Sequence, residues 1–405
     1  MKADKIRTLD LWQIIAVVFL IGVGLAAIYS ATYQAEGDLC KLFGRQLIIA
    51  VIGVVIFTGA IFLPGKFYYA LSYIVYAGAM LLLVLVLAVN KGAEPARWLN
   101  IGSFNFQPSE AAKAALIFAL ARFLAEKKKE SSKFSITLRC ILITAVPTLL
   151  VMVEPDLGTS IIFALIALPM MYAGGISIPH ILLFTMPVVV LIASLSIYIL
   201  IPVILVFILI MIRLQMKPIL IILALSVNVG LGFSGPKAWN SLHPYQQRRI
   251  LTFLNPEADP RGSGYQIIQS KIAVGSGGIS GKGYLAGTQS HLRFLPAGHT
   301  DFIFAVYSEE FGFLGGCLVL SALFIVIYRG LNGASRCHNR FNSLVILGAS
   351  AHFAAHTLVN IGMATGLLPV TGLPLPFMSY GGSALILNLI IAGAMIGMSM
   401  RWKEY

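Results

Sequence analysis

Asn255-Pro-Glu-Ala-Asp-Pro-Arg-Gly-Ser-Gly-Tyr265 interrupts a chain that is otherwise greasy enough to lie in lipid. It is the centre of a polar stretch, 235–301, that holds seven Lys or Arg, three acidic residues, three His and many Gly. A loop of this length is functional or disordered. Disorder is disfavoured, because Phe253, Leu254, Tyr265, Ile267, Ile268, Ile272, Val274, Leu292, Phe294 and Leu295 interleave with the polar residues. The stretch therefore reads as a folded extramembrane loop. Asn255-Pro256 and Asp259-Pro260 are X-Pro pairs, which push the first residue towards extended geometry. Asp259 is thus held on a stiff turn beside Arg261, where Gly262 and Gly264 admit close approach of backbone or ligand. It is the first candidate for catalysis.

Outward from that loop, composition sets the class. Of 405 residues, 58% are hydrophobic and 11% charged, against about a quarter charged in soluble domains. This predicts one all-α polytopic membrane domain over 1–405 rather than two or three soluble domains. Apolar runs of spanning or near-spanning length fall near 11–31, 46–63, 67–89, 109–125, 137–153, 158–174, 179–198, 199–213, 218–234, 302–328, 342–366 and 382–400. The division at Ile201-Pro202 is the least defined, since 179–213 also reads as one kinked helix, so ten to twelve spans are expected. The first run follows Lys2, Lys5 and Arg7 but exceeds a signal-peptide core, and is expected to be a retained helix.

Basic residues orient the spans. With the N-terminus inside, the inner loops collect Lys66, Lys127, Lys128, Lys129, Lys133, Arg139, Arg213, Lys217, Arg329, Arg336, Arg340, Arg401 and Lys403. The short outer loops hold little beyond Lys41, Arg45, Lys91 and Arg97. The positive-inside rule then puts both termini in the cytoplasm and 235–301 outside. The net charge of +13 is accounted for by loops that meet anionic lipid, and no basic run interleaved with aromatics suggests nucleic acid. Cys40, Cys140, Cys317 and Cys337 lack metal or redox spacing.

Several motifs carry a plain and a functional reading. Gly275–Gly283 departs from a phosphate loop, because Ser276 stands where the first Gly is needed and Gly283 follows Lys282; it reads as a mobile turn. Pro108 suits a first helical turn, with Glu110 in that turn and Lys113 three residues on, on one face. The alternative is a capping acid with an ion-pair partner. Glu154-Pro-Asp-Leu-Gly-Thr-Ser160 reads as a turn with Asp156 or Thr159 capping. Asp301 opens the next span and is a cap or a site residue; Glu309 and Glu310 lie too deep for caps. His352 and His356, four apart without a third ligand, read as buried packing. Pro369–Ser383 has three Pro and three Gly and cannot be regular helix; it reads as a re-entrant segment whose backbone needs protein or water partners.

Together these stretches resemble the SEDS family, the RodA/FtsW cell-wall glycosyltransferases, and its RodA branch in particular. The matching pieces run in family order: Arg45-Gln-Leu47, Arg97-Trp98, Gln107–Glu110 with Lys113, Pro155–Thr159, Phe253–Pro256, Asp259-Pro260, Gly264–Gln266, Gln269–Ala273, Gly281–Gly283, Gly287–Gln289, Thr300–Ala305, and Asn360–Met363 through Pro374–Ser383. The resemblance implies polymerisation of lipid II into glycan strands during cell-wall elongation, in a bacterial cytoplasmic membrane with the active site on the outer face. It implies a class B penicillin-binding transpeptidase and other elongation-complex proteins as partners. It also implies Asp259 as the catalytic aspartate, with Arg45, Trp98, Glu110, Lys113, Lys271, Asp301 and Ser379 in the substrate site. Three departures stand out: Glu154 where the family usually has Gln, a longer segment at 94–96, and an apparent inserted helix pair at 199–234 beyond the family's ten spans.

In such a reaction a sugar 4-hydroxyl attacks an anomeric carbon and the lipid pyrophosphate leaves. The hydroxyl needs a base, which Asp259 supplies, and one displacement inverts the anomeric centre. Arg45, Lys113 and Lys271 are candidates to meet the pyrophosphate. A divalent cation, Mg or Mn, is compatible with this chemistry, but the sequence shows no ligand set for it. Two other classes compete. A lipid II flippase or ion-coupled carrier would suit the broken helices and Glu310, though no repeated halves are evident. A scaffold that only recruits a transpeptidase would leave Asp259 dispensable.

Overall fold

The computed structural model describes residues 9–33, 41–89, 97–101, 104–127, 133–194, 196–216, 218–241, 244–255, 263–291, 294–295 and 297–402. Asp259, Arg261, Gly262 and Cys40 lie outside the described residues. Each of the twelve apolar runs forms a helix: α1 Leu11–Thr32, α2 Leu42–Phe62, α3 Gly65–Val89, α4 Pro108–Glu126, α5 Phe134–Val153, α6 Leu157–Ala173, α7 Ile178–Ala193, α8 Ile197–Arg213, α9 Pro218–Ser241, α13 Ile303–Arg336, α14 Arg340–Ala364 and α15 Gly382–Met400. Between α9 and α13 lie α10 Pro244–Leu254, α11 Ser263–Ser276 and α12 Thr288–His291. A short antiparallel hairpin, β1 Leu99–Ile101 and β2 Phe104–Phe106, pairs Leu99 with Phe106 and leads into α4.

Among the described residues, α1, α2, α3, α5, α13, α14 and α15 are long and apolar enough to cross a membrane. The chain is a multi-pass membrane protein. Helix starts follow local capping chemistry: Asp10 accepts from Gln13 N, Asp156 from Thr159 N and Asn339 from Asn342 N, while Pro108 occupies the first turn of α4. The outward faces of α1, α2, α3 and α5 carry Leu, Ile and Val, as lipid requires. The centre is built from α4, α14 and α15, all largely buried. Helix α4 is enclosed by α3, α14, α5 and α6, so the charges near its start lie inside protein rather than in lipid.

The least defined division of the sequence falls elsewhere than Pro202. The chain breaks between Ala193 and Ile197, with Ser196 extended at φ −141° and ψ 122°. Pro202 lies inside α8. The break is served by serines: Ser194 Oγ donates to Leu191 O at 2.6 Å, and Ser196 N to Ala193 O at 3.1 Å. Helices α8 and α9 pack chiefly on α7 and share a small core of Phe207, Met211 and Ala224, separate from the main core.

The glycine-rich stretch expected to be a mobile turn is fixed. Helix α13 breaks at Gly312 (φ 65°, ψ −163°), which frees four backbone groups around the kink. The carbonyls of Glu309 and Glu310 accept instead from Lys282 N at 3.1 Å and Gly283 N at 3.0 Å. Phe313 N and Leu314 N donate to Gly278 O at 2.8 Å and Ile279 O at 3.1 Å. Without water at membrane depth these partners are required. The approach leaves no room for side chains: a Cβ on Gly277 or Gly281 would lie 2.1 or 2.0 Å from a carbonyl oxygen of α13. The Glu309 carboxylate adds a side-chain lock. It accepts from Lys282 Nζ at 2.6 Å, Thr288 N at 2.8 Å and Gln289 N at 3.1 Å, holding the start of α12.

Gly281→Ala should therefore destabilise the chain by on the order of 1–3 kcal/mol, since φ is +84° and the added carbon meets Glu310 O. Gly275→Ala, inside α11 with open space around it, should be neutral or slightly stabilising. Thermal unfolding in detergent distinguishes the two; equal midpoints would contradict the backbone lock.

Candidate active site

The first turns of α4 place two charges inside the bundle. Lys113 Nζ lies 2.8 Å from Glu110 Oε1, and their side chains are 0% and 3% exposed. An unpaired ion here would be very costly, so the pairing is obligatory. A second partner comes from α14: His356 Nε2 is 3.0 Å from Lys113 Nζ. His356 Nδ1 lies 3.2 Å from Pro374 O. One tautomer satisfies both contacts: a neutral ring that donates from Nδ1 and accepts at Nε2. One turn earlier, His352 Nε2 lies 2.7 Å from Asn388 Oδ1, and the two imidazoles are 4.6 Å apart. The packing reading holds for burial but misses that His356 belongs to a charged cluster. Its partner lies 243 residues away in sequence, and nothing local signals it.

The segment between α14 and α15 is irregular, as its prolines and glycines require, and side chains hold it. Asn360 Nδ2 donates to Asp301 O at 2.8 Å and Leu373 O at 2.7 Å. Ser379 Oγ donates to Thr300 O at 2.6 Å and accepts from Leu375 N at 2.8 Å. Gln46 brackets the segment, donating to Ser379 O at 3.4 Å and accepting from Gly381 N at 3.3 Å. Ser379 is thus buried and bonded to backbone on both sides. The Asp301 carboxyl is pushed up by burial, with Arg249 opposing; Gly372, at φ +76°, lets the segment pass beside it.

The other sequence candidates reach the same end of the bundle. Arg45, adjacent to Gln46 in the first turn of α2, is exposed. Lys271 on α11 is also exposed, and its stem lies against Gly366 at the end of α14. Trp98 is exposed. Its neighbour Arg97 donates to Glu154 O at 3.1 Å and to Pro155 O, and sits 3.8 Å from Asp156. Two contacts frame the stretch that carries Asp259. On α10, Arg249 Nη1 donates to Thr371 O at 3.4 Å; on α11, Ser270 Oγ donates to Ala364 O at 2.6 Å. Both helices flanking 256–262 are therefore docked on the 364–371 stretch. Among the described residues no group of three His, Cys, Asp or Glu is placed to hold a metal ion.

Glu154, at the end of α5, is fully buried, and neither carboxylate oxygen has a hydrogen-bond partner among the described residues. Burial first, then Asp156, pushes its carboxyl up to about 8, against Arg97. The shift favours the neutral acid near pH 7, which matches a glutamine in size and charge.

The cell cycle protein family model FTSW_RODA_SPOVE matches residues 11–201 and 181–404. Among curated proteins, the chain is 38% identical to peptidoglycan glycosyltransferase MrdB of Escherichia coli (strain K12), covering 98% of this chain and 94% of that one. It is 32% identical to peptidoglycan glycosyltransferase RodA of Treponema pallidum (strain Nichols), over 99% and 100% of the two chains. Among solved structures, it resembles a chain from work on the coordination of polymerization and crosslinking by a peptidoglycan synthase complex. There the TM-score is 0.71 and the identity 28%, over 96% and 97% of the chains. The fold is also shared with Thermus thermophilus rod shape determining protein RodA, at TM-score 0.64 and 22% identity over 98% of each chain.

The raised Glu154 carboxyl has a signed consequence for stability. The folded state holds its proton up to about pH 8, and the unfolded chain releases it near 4.5. Stability is therefore greatest below the unfolded value and is lost as pH rises towards the folded one. The thermal midpoint of the native chain, measured relative to Glu154→Gln, should fall between about pH 5 and about pH 8. A difference independent of pH would show that Glu154 is charged in the folded protein.

Proposed function

The chain belongs to the FTSW_RODA_SPOVE family of cell cycle proteins, and on that premise we propose that it is a RodA-like peptidoglycan glycosyltransferase that polymerises lipid II into glycan strands. The observation that carries the assignment of its chemistry is the docking of α10 and α11, which flank 256–262, on the 364–371 stretch beside Asp301 and the Lys113 cluster. A loop anchored at both flanks can carry a base whose position is set by the membrane bundle. Asp259 takes the proton of the attacking 4-hydroxyl, and the displacement inverts the anomeric carbon.

The leaving pyrophosphate needs fixed positive charge. Arg45 and Lys271, exposed at this end of the bundle, take that role. Trp98 offers an exposed aromatic face. Lys113 and Glu110 are enclosed and act on the site by holding its walls, as do Ser379 and the backbone of Asp301. The described residues give no ligand set for a divalent cation, and no step is routed through one. The site faces the outer side of a bacterial cytoplasmic membrane with both termini inside, where a class B penicillin-binding transpeptidase and other elongation proteins join it. The similarity to a chain of a peptidoglycan synthase complex supports that partner. Helices α8 and α9, packed chiefly on α7, are an inserted pair outside the catalytic machinery.

Asp259→Asn keeps size and hydrogen bonding but cannot take a proton. It should insert, fold and bind lipid II while polymer formation falls by roughly 10²–10⁴-fold. Glu257→Gln, two residues away, should cost far less. Near-normal polymer from Asp259→Asn removes the base from this position.

A further inference from the structure

We infer that His356 is a positioning residue that ties the Lys113–Glu110 ion pair to the irregular segment carrying Pro374, and through it to the docked flank of the 256–262 stretch. The buried ammonium of Lys113 has three hydrogens, and Glu110 Oε1 receives one at 2.8 Å. A second points to His356 Nε2 at 3.0 Å. In an enclosed site a hydrogen left unmet on a cation carries a full desolvation penalty. Imidazole suits the position because one ring accepts from the cation and donates to a carbonyl without adding charge.

The carbonyl it serves matters as much. Pro374 and Pro376 have no N–H, so carbonyl oxygens are the main handles on this part of the segment. Helix α14 presents His356 and Asn360 one turn apart, and they take the neighbouring carbonyls of Pro374 and Leu373, at 3.2 and 2.7 Å. Three residues before Pro374, Thr371 O accepts from Arg249 of α10. A run of contacts thus leads from Glu110 and Lys113 through His356 and the 371–374 backbone to the helix that enters the Asp259 stretch. His352 and Asn388 hold the far side of the cluster, fixing the ring plane. A misplacement of this segment would move groups that must be aligned to within about an ångström.

This inference rests on the glycosyltransferase reading for its activity arm but not for its stability arm. His356→Gln can serve both partners from one amide, its oxygen accepting from Lys113 and its NH2 donating to Pro374 O. His356→Asn keeps a donor near Nδ1, facing Pro374, and cannot reach Lys113. With purified full-length chain and labelled lipid II, His356→Gln should retain polymerisation within about threefold, and His356→Asn should lose roughly 10–100-fold. In a Lys113→Met background, His356→Asn should cause no further loss. Losses that multiply in the double variant, or equal losses in Gln and Asn, overturn the proposal. The same cycle read by thermal unfolding needs no activity: the destabilisation by His356→Asn should shrink when Lys113 is already Met, and additive midpoints overturn the coupling. If the Asn variant does not fold, a Gln variant as impaired as His356→Ala overturns it alone.

Discussion

A lysine ammonium sealed from water sets the terms for the rest of this protein. Lys113 sits near the start of a helix enclosed on all sides, and its charge is tolerable only beside Glu110 and a neutral His356. That requirement fixes how α4 faces α14. It recruits the Pro374 carbonyl, and so helps pin a segment that cannot be helix because of its prolines. The segment in turn is held by Asn360, Ser379 and Gln46 against 299–301 and α2. The outer end of the bundle is thus a network of backbone carbonyls met by buried side chains, which is how irregular chain survives at membrane depth.

The same constraint shapes the loop. Gly312 breaks α13, and the backbone groups it frees are paired by the 278–283 backbone. The break therefore acts as a socket, and the C-terminal part of the polar loop is plugged into it by four backbone hydrogen bonds. Glu309 reinforces the plug through Lys282 and α12. On the other side, α10 and α11 are docked by Arg249 and Ser270. A polar loop on a membrane protein is free to wander; this one is tied to transmembrane helices at several points, which is what placing a base against an attacking hydroxyl demands.

Much of this was legible in the sequence where the signal is local. Apolar runs mark twelve of the fifteen described helices. Pro108, Glu110 and Lys113 read correctly as a first turn with a facing ion pair, and Asp156 as a cap. The rest depended on contacts between distant residues. Gly275–Gly283 looked mobile because glycines advertise freedom, and only the kink at Gly312 reveals that the freedom is used for close approach. His352 and His356 looked like packing because Lys113 and Asn388 are far away in sequence. Pro202 looked like a boundary, yet α8 accommodates it and serines make the break instead. Ser379 and Asp301, which the resemblance places in the substrate site, also hold the re-entrant backbone, Ser379 through its hydroxyl and Asp301 through its carbonyl, by contacts between residues far apart in sequence. The reading of Asp259 falls outside the described residues and stands on the sequence and on the docking of its flanks.

A bundle organised in this way builds glycan polymer rather than moving or merely marking its precursor. The most direct measurement mixes the purified native chain with labelled lipid II in detergent, with no other glycosyltransferase present, and resolves products by size. Polymeric glycan is expected. Lipid II that remains monomeric in detergent but crosses the bilayer when the chain is placed in liposomes would contradict it.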